Sequence, residues 1–350
     1  MKNLSFFNKI VYGFNILIAL LTLMAFLLPF LTPKAFPILS VLTLFLPFFL
    51  LVNLLFSIYW MVQMKRQFIL SGVLLLLGLP YFQRLYQFGE SNPEKTENEL
   101  VMMSFNVRLF NLYQWKKVAS VKAMMDSLIK SEQPDLICLQ EYSKIDIDIF
   151  NQYKHRHLVF FDKKQKSGHA IFSKFPILHK GKISLEGRGS SIIYADVLYK
   201  SDTIRLYSMH LKSVNITPDV NEIEDDLNNV TQERSKLMLK RMSESFAMQQ
   251  KQAELLSSHR EKVKHKVFIA GDLNNSAFSY VYRNVRGDLL DAFEEAGEGF
   301  GKSYDFKYYP ARIDYIFIDP TFEVKSLKTH NKSSFSDHFP LVVRMQKMEE

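Results

Sequence analysis

Three stretches near the start of the chain restrict its fold more than anything else: residues 10–33, 36–63 and 67–83 carry no charged side chain. The hydrocarbon core of a bilayer takes about 20 mostly apolar residues per helix. The first two stretches are long enough to cross it. The third is borderline and crosses only as a short or tilted span. A cleaved leader would account for the first stretch alone, and no small-x-small pattern ends it. Pro29 and Pro47 are tolerated in such helices where neighbours or local bending satisfy the freed carbonyls. Residues 1–85 are therefore expected to form an integral membrane region of two or three helices. They carry no intramembrane charge that would mark a transport path, so the region reads as an anchor.

The flanking basic residues set an orientation. Lys2 and Lys9 precede the first stretch, and Lys65 and Arg66 follow the second; Lys34 and Arg84 lie at the opposite ends. Keeping the larger set inside places the N-terminus in the cytoplasm. Three crossings then put the rest of the chain on the extracytoplasmic side of a bacterial inner membrane. Two crossings leave it in the cytoplasm.

The net charge of +8 is concentrated at the front. Residues 1–90 hold six basic residues and one acid, which leaves +3 for the remainder of the chain. So balanced a segment argues weakly for a broad nucleic-acid footprint. Cys138 is the one cysteine, which excludes an intrachain disulfide and a cysteine-built zinc site. It reads as an inert core residue.

Residues 86–99 turn polar and acidic and read as a linker. Beyond them, apolar runs at 100–105, 136–139, 169–173, 191–198, 203–210, 266–270, 313–318 and 341–345 read as strands, with hairpin grammar around Lys200-Ser201-Asp202. The spacing of Val118, Val121, Met125 and Leu128 predicts a helix over 115–130. The polar stretch at about 216–262 reads as one or two exposed helices. Met238, Met242 and Met248 there mark a packing face, and Glu222, Glu224, Asp225 and Asp226 a solvated one. Helices and hairpins interleave, so a mixed α/β sandwich is expected rather than a parallel sheet.

Six strand ends each deliver a polar residue: Asn106, Glu141, His210, Asp272 with Asn274, Asp314, and Asp337 with His338. Strand ends converge on one edge of a sheet, where ligands bind. Taken singly, each has a plain reading: Asn106 as a cap, Gly271-Asp272 as a turn, Asp314 as a hydrogen-bonded core acid, His210 as a packed strand residue. Together they supply what metal-assisted phosphate ester cleavage requires. Glu141 and a late aspartate would hold a hard cation such as Mg²⁺. Asp272 would activate water, Asp314 would orient His338 against the pentavalent phosphate, and His210 would face the opposite oxygen or the leaving group. Asn106 and Asn274 can position ligands without adding negative charge. Gly187-Arg188-Gly189 reads as a plain turn, although Arg188 or Arg312 could contact a phosphate.

The ordered series Ser104-Phe105-Asn106, Leu139-Gln140-Glu141, Gly168-His169-Ala170-Ile171-Phe172-Ser173-Lys174-Phe175-Pro176, Ser208-Met209-His210-Leu211, Gly271-Asp272-Leu273-Asn274, Arg312-Ile313-Asp314-Tyr315-Ile316 and Ser336-Asp337-His338-Phe339-Pro340 resembles the endonuclease/exonuclease/phosphatase superfamily. The resemblance covers about residues 100–344. It implies a four-layered α/β sandwich, two packed mixed sheets flanked by helices, here over 100–348. It implies Mg²⁺ or Mn²⁺ and hydrolysis of a phosphate ester. It maps metal binding onto Glu141 with Asn106 and Asp337. Water activation and phosphate positioning fall on Asp272 and Asn274, and the histidine roles on His210 and on His338 paired with Asp314. Some nuclease members carry an arginine two places after the glutamate, where this chain has Ser143. Nuclease members also often carry a phosphate-contacting tyrosine, for which Tyr142, Tyr153 and Tyr194 are available. The expected activity is a membrane-anchored phosphodiesterase acting on nucleic acid, a lipid head group or a small phosphate ester. The alternatives are a phosphomonoesterase and a non-catalytic tethered binding module.

Overall fold

In the computed structural model the chain divides into two compact units, and the structure describes residues 4–89, 98–144, 147–186, 189–214, 231–307, 309–332 and 334–348. The first unit contains the apolar front, 1–85, together with 215–250 and 277–283. Two of its helical stretches, Phe6–Phe30 and Pro37–Val62, are long and apolar enough to cross a membrane. The helices Phe68–Leu77 and Leu79–Leu85 make a third crossing only if taken as one span bent by 61°. The bend falls at Gly78, where an added Cβ would meet a Leu50 methyl at 2.8 Å.

In a bilayer, apolar side chains alone would let such helices slide, because lipid would solvate them as well as a neighbour does. Here a buried polar chain fixes their register. Asn15 donates to the Ser71 hydroxyl at 2.7 Å, and Ser71 donates to Asn53 at 3.0 Å. Asn53 donates to Thr22 at 2.8 Å, and the Trp60 indole donates to Asn15 at 3.0 Å. All five side chains are fully buried, and together they tie three helices. Phe278 packs into the same apolar cluster with Ala25, Phe26, Leu46, Leu50 and Leu74.

The second unit contains 86–214, 251–276 and 284–350. One six-stranded sheet has the order β13 (Phe322–Thr329), β14 (Leu341–Lys347), β2 (Leu100–Asn106), β3 (Leu136–Tyr142), β5 (Gly168–Ser173), β4 (His155–Phe160). The other has the order β10 (Leu290–Asp291), β12 (Asp314–Ile318), β9 (Lys266–Asp272), β8 (Asp202–His210), β7 (Ser191–Tyr199), β6 (Ile177–Ile183). Both sheets are mixed: β2 with β3 and β8 with β9 run parallel, and their other pairs run antiparallel.

Period-two alternation makes two layers of core. Leu100, Met102, Leu136 and Cys138 meet Ala195, Val197, Leu206, Phe268 and Ile316 between the sheets. The opposite faces of the same strands, with Val101, Met103, Phe105, Ile137 and Leu139, bury Met125 and Ile129 of the helix Val121–Glu132. This is the expected sandwich of two mixed sheets with helices outside.

Several local expectations shift. The helix read over 115–130 begins at Val121, because the Ser120 hydroxyl caps it by accepting from the Ala123 amide. In the polar stretch read over 216–262, the described residues from 231 onward form one helix, Gln232–Arg260. That helix is not simply exposed: Phe246, Ala253 and Leu256 are buried on it. The acids at 222–226 lie outside the described residues. Part of the expected linker is structured, since β1 (Gln87–Phe88) pairs with β11 (Glu298–Gly299).

Candidate active site

Strand register aligns three of the candidate residues. His210 ends β8 opposite Asp272 of the parallel β9, and Asp272 stands opposite Asp314 at the start of the antiparallel β12. Gly271 permits that alignment. Its φ is +135°, and a Cβ there would lie 2.0 Å from the Met209 carbonyl oxygen, a clash that any other residue would bring to the β8–β9 pairing. From the other sheet, Asn106 ends β2 and Glu141 lies near the end of β3. A register shift between Leu139 and Tyr142 leaves Glu141 at φ +48°, a bulge of the kind that re-aims a side chain. Asn274 is also left-handed, at φ +51°. Strained positions of this sort collect at functional sites.

The side chains converge. His338 Nδ1 lies 2.9 Å from an Asp314 carboxylate oxygen, and its Nε2 is 3.7 Å from Asp272. His210 Nε2 is 3.6 Å from the same Asp272 oxygen and 3.7 Å from Glu141. The Asn106 amide donates to Asp272 at 3.2 Å and lies 3.3 Å from Glu141. Asp272 also accepts the Asn274 backbone N–H at 2.7 Å. Burial, and then the charge of Asp314, raise the Asp272 carboxyl to about 6, against the pull of His338, His210 and the Asn274 amide. Burial opposes a charge on His338, but Asp314 and then Asp272 outweigh it and raise the imidazole to about 10. A carboxylate whose proton affinity is raised toward neutrality is a stronger base, and a histidine held protonated is an electrostatic stabiliser.

Asp272, Asp314 and His338 offer ligand atoms within 4.8 Å of one another. Within this group the His338 Nδ1 is already engaged by Asp314 at 2.9 Å. Glu141 fits a cation better: it is an oxygen donor, and its side chain is 32% exposed, leaving room for the waters that Mg²⁺ retains. One oxygen of the Asp337 carboxylate pairs with Arg108 at 3.1 Å. Asn106 likewise turns its amide nitrogen to Glu141 while its oxygen accepts from the Arg108 amide. The Asn274 side chain donates to the Leu211 carbonyl at 3.1 Å, which braces the loop.

Arg312 is not available to a phosphate in this arrangement. It is buried against Asp291 at 2.8 Å, between the Phe293 and Tyr315 rings. Tyr153 donates to the Pro134 carbonyl, Tyr194 lies against His259, and Tyr142 packs on Phe110 and Phe172. The aromatic ring beside His338 is instead Tyr304, 4.9 Å away and edge-on, which the strand-end pattern missed because it lies in an irregular segment. Two serines were missed as well. The Ser336 hydroxyl donates to the Asn106 carbonyl and accepts the His338 amide, while Ser303 accepts the amides of Ile313 and Asp314. Neither touches a carboxylate of Asp272 or Glu141 among these contacts; they hold the backbone that carries His338 and Asp314. Arg188 lies outside the described residues.

A family described as "Endonuclease/Exonuclease/phosphatase family" matches residues 103–338, and a domain of unknown function matches residues 8–85. Among solved structures, an endonuclease/exonuclease/phosphatase from Beutenbergia cavernae superposes with a TM-score of 0.51 at 16% identity, covering 72% of each chain. A humanized D. rerio TDP2 superposes at 0.50 and 15% identity, covering 71% of this chain and 99% of the other. At such identity the two share a fold. No curated protein matches. With a family match that begins in the strand bearing Asn106 and ends at His338, the chain belongs to the endonuclease/exonuclease/phosphatase family, whose members hydrolyse phosphate esters.

Proposed function

We propose that this protein is a membrane-anchored, divalent-metal-dependent phosphodiesterase, with an anchor over 1–85, a connecting segment at 86–99 and a catalytic domain over 100–348. The observation that carries the reading is Asp272 lying between His210 and His338, with Asp314 behind one and Glu141 beside the other. Glu141, with Asn106 and Asp337, would hold Mg²⁺ or Mn²⁺. When bound, such an ion neutralises phosphate charge and polarises the ester.

The protein's own groups divide the remaining work. Asp272 takes the proton of the attacking water, and its raised proton affinity suits that task. The Asn106 and Asn274 bonds fix the direction in which its oxygens point. His338, kept cationic by Asp314, faces the developing negative charge on phosphorus. His210 faces the leaving side.

The anchor places the catalytic domain on one side of a membrane. Ser71 joins the helix Phe68–Leu77 to the two longer helices, which favours three crossings. With Lys9, Lys65 and Arg66 in the cytoplasm, the catalytic domain is then extracytoplasmic at a bacterial inner membrane. Protease accessibility in spheroplasts tests this, and a cytoplasmic domain would overturn it.

The activity is tested on the full chain in lipid nanodiscs, with Mg²⁺, on bis-p-nitrophenyl phosphate and p-nitrophenyl phosphate in parallel. Diester hydrolysis lost in His338→Ala supports the reading. Monoester hydrolysis alone would replace it with a phosphatase. Hydrolysis of neither would leave a tethered binding module.

A further inference from the structure

The segment after Asn106 is built to hold apolar side chains out in water. Arg108, Leu109, Phe110 and Asn111 all have φ between +41° and +56°, a run that L-residues avoid because Cβ crowds the carbonyl. Two anchors impose it. Phe110 is buried, 5.6 Å from Tyr142 and 6.0 Å from Phe335 between ring centroids. The Asn111 amide closes the loop on Lys116, donating to its carbonyl at 2.7 Å and accepting its N–H at 3.1 Å.

Between those anchors stand Leu112, Tyr113 and Trp115, which are 44%, 58% and 45% exposed. Tyr113 and Trp115 meet edge to face at 5.1 Å. Arg108, Lys116 and Lys117 flank the tip. Arg108 lies 4.5 Å over the Trp115 ring and pairs with Asp337, while Lys116 pairs with Asp305 at 2.9 Å.

We propose that the tip formed by Leu112, Tyr113 and Trp115 docks into a lipid bilayer surface and brings a membrane-borne phosphate ester to the adjacent catalytic centre. Trp and Tyr favour the boundary between headgroups and acyl chains because one end of each is apolar and the other polar. Lys117, exposed beside them, complements anionic headgroups, while Arg108 and Lys116 are each paired with an aspartate. The same chain carries helices long and apolar enough to cross a bilayer, so tethering would make docking effectively intramolecular. A stacked nucleobase is the rival occupant. It fits less well, because Arg108 already covers a face of Trp115 and the chain beyond residue 90 carries only +3. The substrate half of the proposal rests on the phosphoesterase reading above; the docking half does not.

The test uses the full chain in nanodiscs with a nitrobenzoxadiazole probe at Tyr113→Cys. A probe at Glu323→Cys is the control, at the far end of the sheet from Leu341. Cys138 is buried and leaves the label selective. The expected result is blue-shifted emission at 113, quenched at least twofold by lipids spin-labelled near the headgroup, and more strongly with anionic than neutral lipid. The probe at 323 stays in water. Equal, water-like behaviour at both positions overturns docking, as does a response at 113 to a single-stranded oligonucleotide and not to lipid. In a second arm, Leu112→Ser and Tyr113→Ser lower the ratio of turnover on a bilayer phosphodiester to turnover on bis-p-nitrophenyl phosphate by about tenfold. An unchanged ratio overturns the delivery role. Absence of both activities in the unmodified chain defeats the phosphoesterase reading, while the probe still decides docking.

Discussion

The imidazole of His338 engages Asp314 through Nδ1 at 2.9 Å and turns Nε2 toward Asp272, 3.7 Å away. One ring thus links the residue that holds its charge to the residue proposed as base. Asp314 is buried, so it acts on the site through its neighbours, holding the charge of His338 and raising the proton affinity of Asp272. Asp314→Asn keeps the shape and removes the charge. Turnover is expected to fall roughly 10²–10⁴-fold, with the far-ultraviolet circular dichroism unchanged. A loss under threefold in steady-state assays would contradict the pairing's role.

Asp272 is costly to the fold as well as useful. Its carboxyl is raised to about 6 by burial and by Asp314, from about 3.9 in an unfolded chain. A raised folded value favours the protonated form, so this group's contribution is best below pH 4 and is lost as pH rises through 6. Asp272→Asn is therefore expected to abolish turnover and yet raise stability at pH 7, by on the order of 1–3 kcal/mol. Thermal unfolding at pH 7 and pH 4 checks this, because the gain should vanish at the lower pH.

The same carboxyl sets the acid side of the rate profile. A base must be unprotonated to work, so kcat/KM is expected to fall tenfold per pH unit below about 6, or lower with a cation bound nearby. His338, raised to about 10, gives no limb in the neutral range. Weakening the Asp314 charge in Asp314→Asn should bring a basic limb down toward neutrality, which a pH series on both proteins would reveal.

Glu141 is exposed enough to meet a hydrated ion, and Asp337 is held by Arg108. Glu141→Gln is expected to raise the Mg²⁺ concentration for half-maximal rate at least tenfold, and chelation with EDTA to abolish turnover in both proteins. Arg108→Ala frees Asp337 and should lower that Mg²⁺ requirement. Metal titration of initial rates separates the two effects.

In the helical unit, Asn53 holds both Ser71 and Thr22. Asn53→Ala removes the acceptor of the Ser71 hydroxyl and one donor to Thr22, leaving the bonds from Asn15 and to Ile18, and a cost of about 1–2 kcal/mol is expected. Thermal unfolding of the full chain in nanodiscs should show it, with Thr22→Val milder because Thr22 also bonds to its own helix at Ile18.

The order of apolar and polar residues determined a great deal by itself. Charge-free runs announce helices with no water-facing side, because a charged group is costly in hydrocarbon wherever it falls. Alternation along 191–199 and 202–210 with Lys200-Ser201 between them gives a hairpin in register, Tyr199 opposite Asp202, because a two-residue turn leaves one pairing. The seven short motifs in order carried the family and the sandwich.

Tertiary structure decided what lies between distant segments. That Arg108 would hold Asp337 and that Arg312 would turn inward to Asp291 depends on which partners packing supplies. The buried polar chain of Asn15, Ser71, Asn53, Thr22 and Trp60 is equally invisible in a hydropathy profile. A side chain's chemistry is written in its own residue, but its partner is chosen by register, rotamer and burial, and those exist only once the strands and helices have closed on one another.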